Sequence, residues 1–334
     1  MEEKRLLIVH HGALGDVVLT FPIIIRLKKI YHHIDLLCQI KLGKLAQALH
    51  VVDTYFPLES AAFASLFTDA VDPMVTSILC SYQDVAIFSI STQLEHIISK
   101  TTGKPVHRIH PRPGIKKTRH VTHHLLSQLI QYPCFGPDDT TPHSMLLADQ
   151  HPDRRNPQYD PLKIILHPGS GSPTKCWPLS NFIKTASVLR SKGKRVVFIL
   201  GPAEHFMADG LLQQDGNKDS IHLTDSLIEL ASILKTAGGF VGNDSGVSHL
   251  AAFLGLPSVV VFGPSDFVVW RPIGRSVSIL KPDLDCNPCF ATDNRCNDWK
   301  CFDRTIPEMV LDVLMVRITR DLCKNIIQPL CGVN

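Results

Sequence analysis

Residues 238–263, GGFVGNDSGVSHLAAFLGLPSVVVFG, carry a strand, a tight loop, a helix and a second strand in one short run. The segments 238–243 and 257–263 are short, apolar and bounded by turn residues, as buried strands are. Between them Asp244, Ser245 and Gly246 are loop and capping residues, and an apolar run of helical character follows. Two strands joined by a single helix run parallel and cross over right-handedly. One residue does not fit a plain structural reading. A helix N-terminus attracts anions, yet Asp244 stands at this one, with His249 five residues on. The carboxylate either caps the helix or belongs to a site that uses a carboxylate and a positive dipole together.

The same alternation extends outward in both directions. Strand-like runs occupy 5–11, 34–39, 84–89 and 106–110, and 119–132 has apolar positions at helical spacing. The run after the first strand has helical length, although Pro22 predicts a kink or a delayed start. Residues 138–161 are rich in Pro, Asp, His and Asn and read as a linker. A second series follows, with strands at 162–169, 194–201, 220–224, 238–243 and 257–263. The expected fold is α/β: two Rossmann-like domains with parallel sheets facing a central cleft. The expected boundaries are 1–150, 160–304 and a helix and tail at 305–334. Ligands of such sheets lie outside the carboxyl ends of the strands.

The 334 residues are 44% hydrophobic and 19% charged, which supports large cores and excludes a disordered chain. A net charge of +3 is compatible with an anionic ligand and too weak to suggest nucleic acid. The apolar stretch 6–27 is broken by His10, His11, Gly12, Asp16 and Arg26, so it reads neither as a membrane span nor as a signal peptide. A cytoplasmic protein is expected, with peripheral membrane contact left open. The chain holds ten cysteines. The surroundings of Cys38 and Cys80 predict buried thiols.

Several strand ends carry residues suited to a ligand. In HHGALGD (10–16), Gly12 and Gly15 permit a tight turn, and Asp16 is either a helix cap or a carboxylate able to act as a base. A third glycine at dinucleotide-binding spacing is missing, which weighs against a nicotinamide-dependent oxidoreductase. HPGSGSPTKCWP (167–178) offers Ser170, Gly171 and Ser172 as donors and Lys175 as a cation, a set suited to phosphate; the alternative is an ordinary surface turn. LGPAEH (200–205) places Glu204 where a carboxylate can accept from ribose hydroxyls, although acids are common in a helix's first turn. Cys286, Cys289, Cys296 and Cys301 follow the spacing C-x2-C-x6-C-x4-C. Four thiolates there suit structural zinc or iron; reduced thiols or oxidised pairs are the alternative.

Taken together in their order, GALGDVVLTFP (12–22), RHVTHHLL (119–126), HPGSGSPTKCWP and GNDSGVSHLAAFLGLPSVVVFGPSD (242–266) resemble glycosyltransferase family 9, the ADP-heptose:lipopolysaccharide heptosyltransferases. CNPCFATDNRCNDWKC (286–301) resembles the cysteine-bearing segment of one branch. The resemblance implies a GT-B fold with the donor nucleotide held by the C-terminal domain. It implies inverting transfer of heptose from ADP-heptose to a lipopolysaccharide inner-core acceptor, without a catalytic metal. It also implies that the helix at 305–319 crosses back to the N-terminal domain. By matching position Asp16 becomes the general base, with His11 as an alternative, since His10, His11 and Gly12 stand where relatives often carry Ser or Thr. Ser170, Gly171, Ser172, Lys175, Glu204, Asp244, Ser245, Gly246 and His249 become donor-binding residues.

The N-terminal domain is then expected to receive a lipid-linked saccharide acceptor. HRIHPRPGIKKTRH (107–120) supplies Arg108, Arg112, Lys116, Lys117, Arg119 and His120 as a docking surface for acidic groups, or else is a solvated basic loop. Such an acceptor leaves room for peripheral contact with the cytoplasmic face of the inner membrane, and no nucleic-acid partner is expected. Two other readings share the fold: a transferase for another nucleotide sugar or acceptor, and a nucleotide-sugar-binding module without catalysis.

Overall fold

A computed structural model describes residues 3–68, 70–114, 119–136, 156–215, 220–281 and 300–327. The chain divides into two compact units, Met1–Ala148 and Asp149–Asn334.

The first unit is built on a five-stranded sheet in the order β3-β2-β1-β4-β5. Its strands are β1 (Arg5–His10), β2 (His33–Cys38), β3 (Thr54–Pro57), β4 (Asp84–Phe88) and β5 (Val106–Ile109), all parallel. Leu6, Leu7, Ile8 and Val9 of the central strand are fully buried. A parallel strand covered on both faces needs such an unbroken apolar run. β3 has no such run: its TYFP residues are half-buried at the sheet edge, where Pro57 is tolerated.

The helix Leu14–Leu27 leaves β1 directly and starts ahead of Pro22, so the start is not delayed. Pro22 has no N–H for the Val18 carbonyl, but the helix buries Val17, Val18, Leu19, Phe21, Ile23, Ile24 and Leu27. Each fully buried apolar side chain contributes about 1.5–3 kcal/mol, which together exceeds the ~3 kcal/mol cost of an interior proline. The helix Val121–Leu129 packs against it, and Thr122 Oγ1 donates to the Leu19 carbonyl at 2.9 Å.

The second unit carries a six-stranded parallel sheet in the order β11-β10-β9-β6-β7-β8. The strands are β6 (Asp160–His167), β7 (Arg195–Leu200), β8 (Ile221–Leu223), β9 (Ala237–Asn243), β10 (Ser258–Val261) and β11 (Val277–Leu280). β6 takes in Asp160 and Pro161, the end of the stretch read as linker. The helix Gly246–Phe253 joins β9 to β10, as the opening motif predicts. In the helix Pro307–Ile327, Val310, Leu311, Leu314 and Ile318 join Phe182, Val241 and Val259 in one core. Among the described residues, no helix is long and apolar enough to cross a membrane.

Cys38 is buried, and burial with the nearby Glu59 charge pushes its thiol up to about 12. Cys80 is exposed, contrary to the expectation from its apolar neighbours. It is the last residue of the helix Pro73–Cys80, whose buried positions are Val75 and Leu79.

Strands β1 and β6 each end in a buried histidine. His10 stacks on Phe88, with ring centroids 5.3 Å apart, and its Nδ1 accepts from the Gly12 N–H at 3.0 Å. Burial, aided by His11, pushes its pKa down to about 3. His167 Nδ1 donates to the Ile199 carbonyl at 3.0 Å, and burial lowers its pKa too. Both rings are therefore neutral at neutral pH. The unfolded chain takes up these protons near pH 6.5, so it binds more protons than the fold below that pH. This contribution to stability is complete above pH 6.5 and, for His10, is lost as the pH falls toward about 3. His10→Asn keeps an acceptor for Gly12 and removes the titration. It is expected to lessen the acid slope of the unfolding free energy by up to about 1.4 kcal/mol per pH unit. Urea unfolding at neutral and mildly acidic pH measures this, and an unchanged slope contradicts it.

Candidate active site

In the first unit the candidate residues sit on the turn from β1 into its helix. Gly12 is required there: a Cβ would lie 2.6 Å from His10 Cε1 and 2.8 Å from Asp16 Cβ. Ala13, not Asp16, is the N-cap of the helix. Asp16 lies in the first turn and its Oδ2 accepts from the Ala13 N–H at 3.2 Å. That bond orients a half-buried carboxylate at the carboxyl end of the central strand. His11, five residues earlier, is exposed. The turn therefore offers a held carboxylate and a solvent-facing imidazole.

In the second unit the loop after β6 and the end of β9 are laced together. Asn243 is fully buried, and its side-chain amide donates to the Pro168 carbonyl at 2.7 Å. Its Oδ1 accepts from the Trp177 N–H at 3.0 Å. Trp177 is 1% exposed, packs edge-on against Phe182 and donates from Nε1 to the Thr305 carbonyl at 2.8 Å. Ser170 Oγ donates to the Asp244 carbonyl at 2.7 Å. Lys175 Nζ lies 2.8 Å from Asp244 Oδ2, with the two side chains 20% and 5% exposed. His249 Nε2 approaches the other oxygen, Oδ1, at 4.0 Å.

The helix after β9 is capped by Ser245, whose Oγ accepts from the Ser248 N–H at 3.3 Å. Asp244 is thus not the cap, and its carboxylate is directed to Lys175 instead. Gly246 opens the helix. Ser172 Oγ and Thr174 Oγ1 are 2.9 Å apart, and Gly171 is exposed with open space where a Cβ would point.

Glu204 reaches the same loop from the end of β7. It is buried, and its Oε2 accepts from the Gly201 N–H at 3.0 Å. A Cβ on Gly169 would lie 2.3 Å from Glu204 Oε1, so that glycine makes room for the carboxylate. Ser170, Lys175, Glu204 and Asp244 are thereby gathered at the carboxyl ends of β6, β7 and β9. A Gly/Ser loop, a cation, two carboxylates and a helix N-terminus suit a ligand carrying both phosphate and hydroxyl groups.

The basic stretch of the first unit is only partly described. Arg108 Nε is bound to Glu95 Oε2 at 2.6 Å. Arg112 and Arg119 are exposed. His120 is buried and caps its helix, its Nδ1 accepting from the Thr122 N–H at 3.2 Å. Lys116 and Lys117 lie outside the described residues, as do Cys286, Cys289 and Cys296. Cys301 is buried in the core of the second unit.

Two units, each with a parallel α/β sheet whose strand-end loops collect polar side chains, have the architecture of a GT-B protein. Residues 106–300 match glycosyltransferase family 9 (heptosyltransferase), and the chain belongs to that family. It is 28% identical over 206 residues to lipopolysaccharide heptosyltransferase 1 of Pseudomonas aeruginosa, covering 57% of this chain and 56% of that protein. Among the curated heptosyltransferases it matches, the chain spans between 33% and 56% of the relative's length. Two solved structures share the fold. A family 9 glycosyl transferase from Veillonella parvula aligns with a TM-score of 0.74 at 19% identity, over 96% of this chain and 98% of that one. E. coli ADP-heptose lps heptosyltransferase II aligns with a TM-score of 0.70 at 16% identity, over 95% and 99%.

Asn243 and Trp177 are the residues that sequence reading did not single out. Their signal was an Asn at a strand end directly before the acidic residue, and a Trp at the mouth of a helix. Lys175→Met is expected to strand a buried carboxylate and to lower the unfolding free energy by about 2–4 kcal/mol. Adding Asp244→Asn is expected to recover more than half of that loss. Urea unfolding of wild type, both single variants and the double variant measures the coupling, and simple additivity of the two changes contradicts a paired role.

Proposed function

We propose that the protein is an inverting, metal-independent glycosyltransferase that moves heptose from ADP-heptose to a lipopolysaccharide inner-core acceptor. The observation that carries this reading is the gathering of Ser170, Lys175, Glu204 and Asp244 at neighbouring strand ends of the second unit. Family membership and the names of its heptosyltransferase relatives support the sugar and the acceptor class.

In this reading Glu204 accepts from the ribose hydroxyls of the nucleotide. Asp244 holds the Lys175 ammonium as a close ion pair, which fixes that charge beside the diphosphate. Gly171, Ser172, Ser245, Gly246 and His249 complete the donor surroundings. The acceptor hydroxyl attacks the anomeric carbon. Its oxygen forms the new bond, the bond to the diphosphate oxygen breaks, and the hydroxyl proton passes to Asp16. Negative charge grows on the departing ADP. Lys175, the hydroxyls of Ser170 and Ser172, and the amides that open the Gly246 helix stabilise it. Attack opposite the departing group inverts the configuration.

The acceptor belongs to the first unit in this proposal. Arg108 is already held by Glu95, which leaves Arg112 and Arg119 as the exposed cations among the described residues of the stretch. They suit the acidic sugars and phosphates of a lipid-linked saccharide presented at the cytoplasmic face of the inner membrane.

Asp16→Asn retains an oxygen for the Ala13 N–H and removes the base. Transfer from ADP-heptose is expected to fall by about 10²- to 10⁴-fold, with ADP affinity within twofold of wild type. His11→Gln is expected to lose less than tenfold. A steady-state assay of ADP release, run beside calorimetric ADP binding, measures both. Full turnover in Asp16→Asn overturns the assignment of the base. ADP binding by the wild type without turnover on any heptose-free or heptose-bearing core acceptor marks a binding module instead.

A further inference from the structure

Away from the loop that carries Asp16, three side chains of the first unit converge at the opposite end of its sheet. Asp84 is the first residue of β4, and His107 is the second of β5. Cys134 lies in the short turn Pro133–Phe135 that follows the helix Val121–Leu129. The register pairs Asp84 with Leu6, near the start of β1, whereas the Asp16 turn leaves the other end of that strand. One ligand atom from each residue lies within 4.8 Å of the others.

The distances are informative. His107 Nε2 is 3.5 Å from Asp84 Oδ1 and 3.5 Å from Cys134 Sγ. A single ring nitrogen offers either one hydrogen or one lone pair, so it cannot serve both partners well. The N–O separation is also long for a charge-assisted hydrogen bond, which closes to about 2.7–2.9 Å. The arrangement is not a nucleophilic relay either. A relay uses the two ring nitrogens for two different partners, and here one nitrogen faces both. The two separations from His107, 3.5 Å each, instead match edges of a coordination tetrahedron, and the third lies within 4.8 Å. With Zn–N and Zn–O near 2.0–2.2 Å and Zn–S near 2.3 Å, the edges are about 3.3–3.6 Å.

The surroundings hold this geometry. Tyr31 is 2% exposed, and its hydroxyl donates to Asp84 Oδ2 at 2.8 Å, which leaves Oδ1 toward His107. The His107 ring packs on Tyr132 and Phe135, with centroids 4.5 and 5.0 Å away. A carboxylate, a thiolate and a neutral imidazole carry two negative charges, which a divalent cation neutralises. The mixed O, N and S donors suit a borderline cation and not magnesium or calcium.

We propose that Asp84, His107 and Cys134 bind one zinc-type divalent cation, with Tyr31 orienting the carboxylate from behind. Three protein ligands leave the fourth position to water. The ion ties the starts of β4 and β5 to the turn after the helix that packs against the Asp16 helix. It is a clamp on the first unit and takes no part in the proposed transfer reaction, so it stands or falls independently of that function.

The test uses the full chain stripped of metal by chelation. Cys134 is alkylated with iodoacetamide, with and without one to five equivalents of zinc, and its own peptide is followed by mass spectrometry. Zinc is expected to slow alkylation of Cys134 at least tenfold in the wild type and less than twofold in His107→Ala. Asp84→Asn serves as the second ligand variant, and circular dichroism checks that each is folded. Tyr31→Phe is expected to weaken zinc binding by roughly 10- to 100-fold. Reading Cys134 alone keeps zinc bound at residues 286–301 from masking the result. Equal alkylation with and without zinc in the wild type overturns the proposal, and so does protection that survives in both folded ligand variants.

Discussion

The carboxylate of Asp244 is buried, with the ammonium of Lys175 2.8 Å away, and the candidate donor site depends on that pair. Taking two charges out of water costs several kcal/mol per ion unless geometry and further bonds compensate. The bonds around the pair hold it in place. Asn243 fixes both ends of the loop that carries Lys175, one through the Pro168 carbonyl and the other through the Trp177 amide. Ser170 closes the middle of the loop onto the Asp244 carbonyl. Ser245 takes the capping task, which frees the Asp244 side chain for the lysine. A cation held at one point beside a helix N-terminus is prepared for an anion before any ligand arrives.

The first unit solves a related problem with less charge. Its turn is organised by a neutral histidine and by a glycine too crowded to carry a side chain. The bond from Ala13 to Asp16 sets the carboxylate in place through one of its two oxygens. In the proposed reaction the helix turn that holds Asp16 also orients it as the base.

Much of the architecture was legible because parallel strands buried on both faces must be continuously apolar. β1, β6, β9 and β10 stand out in the sequence for that reason. β3 and β11 do not: every residue of both is half-buried, and they lie at sheet edges where hydrophobic runs are not required. The linker reading ran over into β6 because Asp160 and Pro161 are turn residues by composition yet open a strand. Cys80 was misplaced because apolar neighbours say nothing about the exposed face of a helix end. The strand-end acids were legible from their glycine-rich loops, but their partners were not. That Asp244 faces Lys175 while Glu204 lies against Gly169 is tertiary information. Asp84, His107 and Cys134 lie too far apart along the chain for any spacing rule to link them.

The central claim is that the strand ends of the second unit form a preorganised adenosine diphosphate site that needs no metal. Isothermal titration of the full chain with ADP, UDP and GDP in excess chelator tests it most directly. The expected result is one ADP per chain, bound at least tenfold more tightly than either other nucleotide. Absence of ADP binding in chelator, or equal affinity for all three, would contradict it.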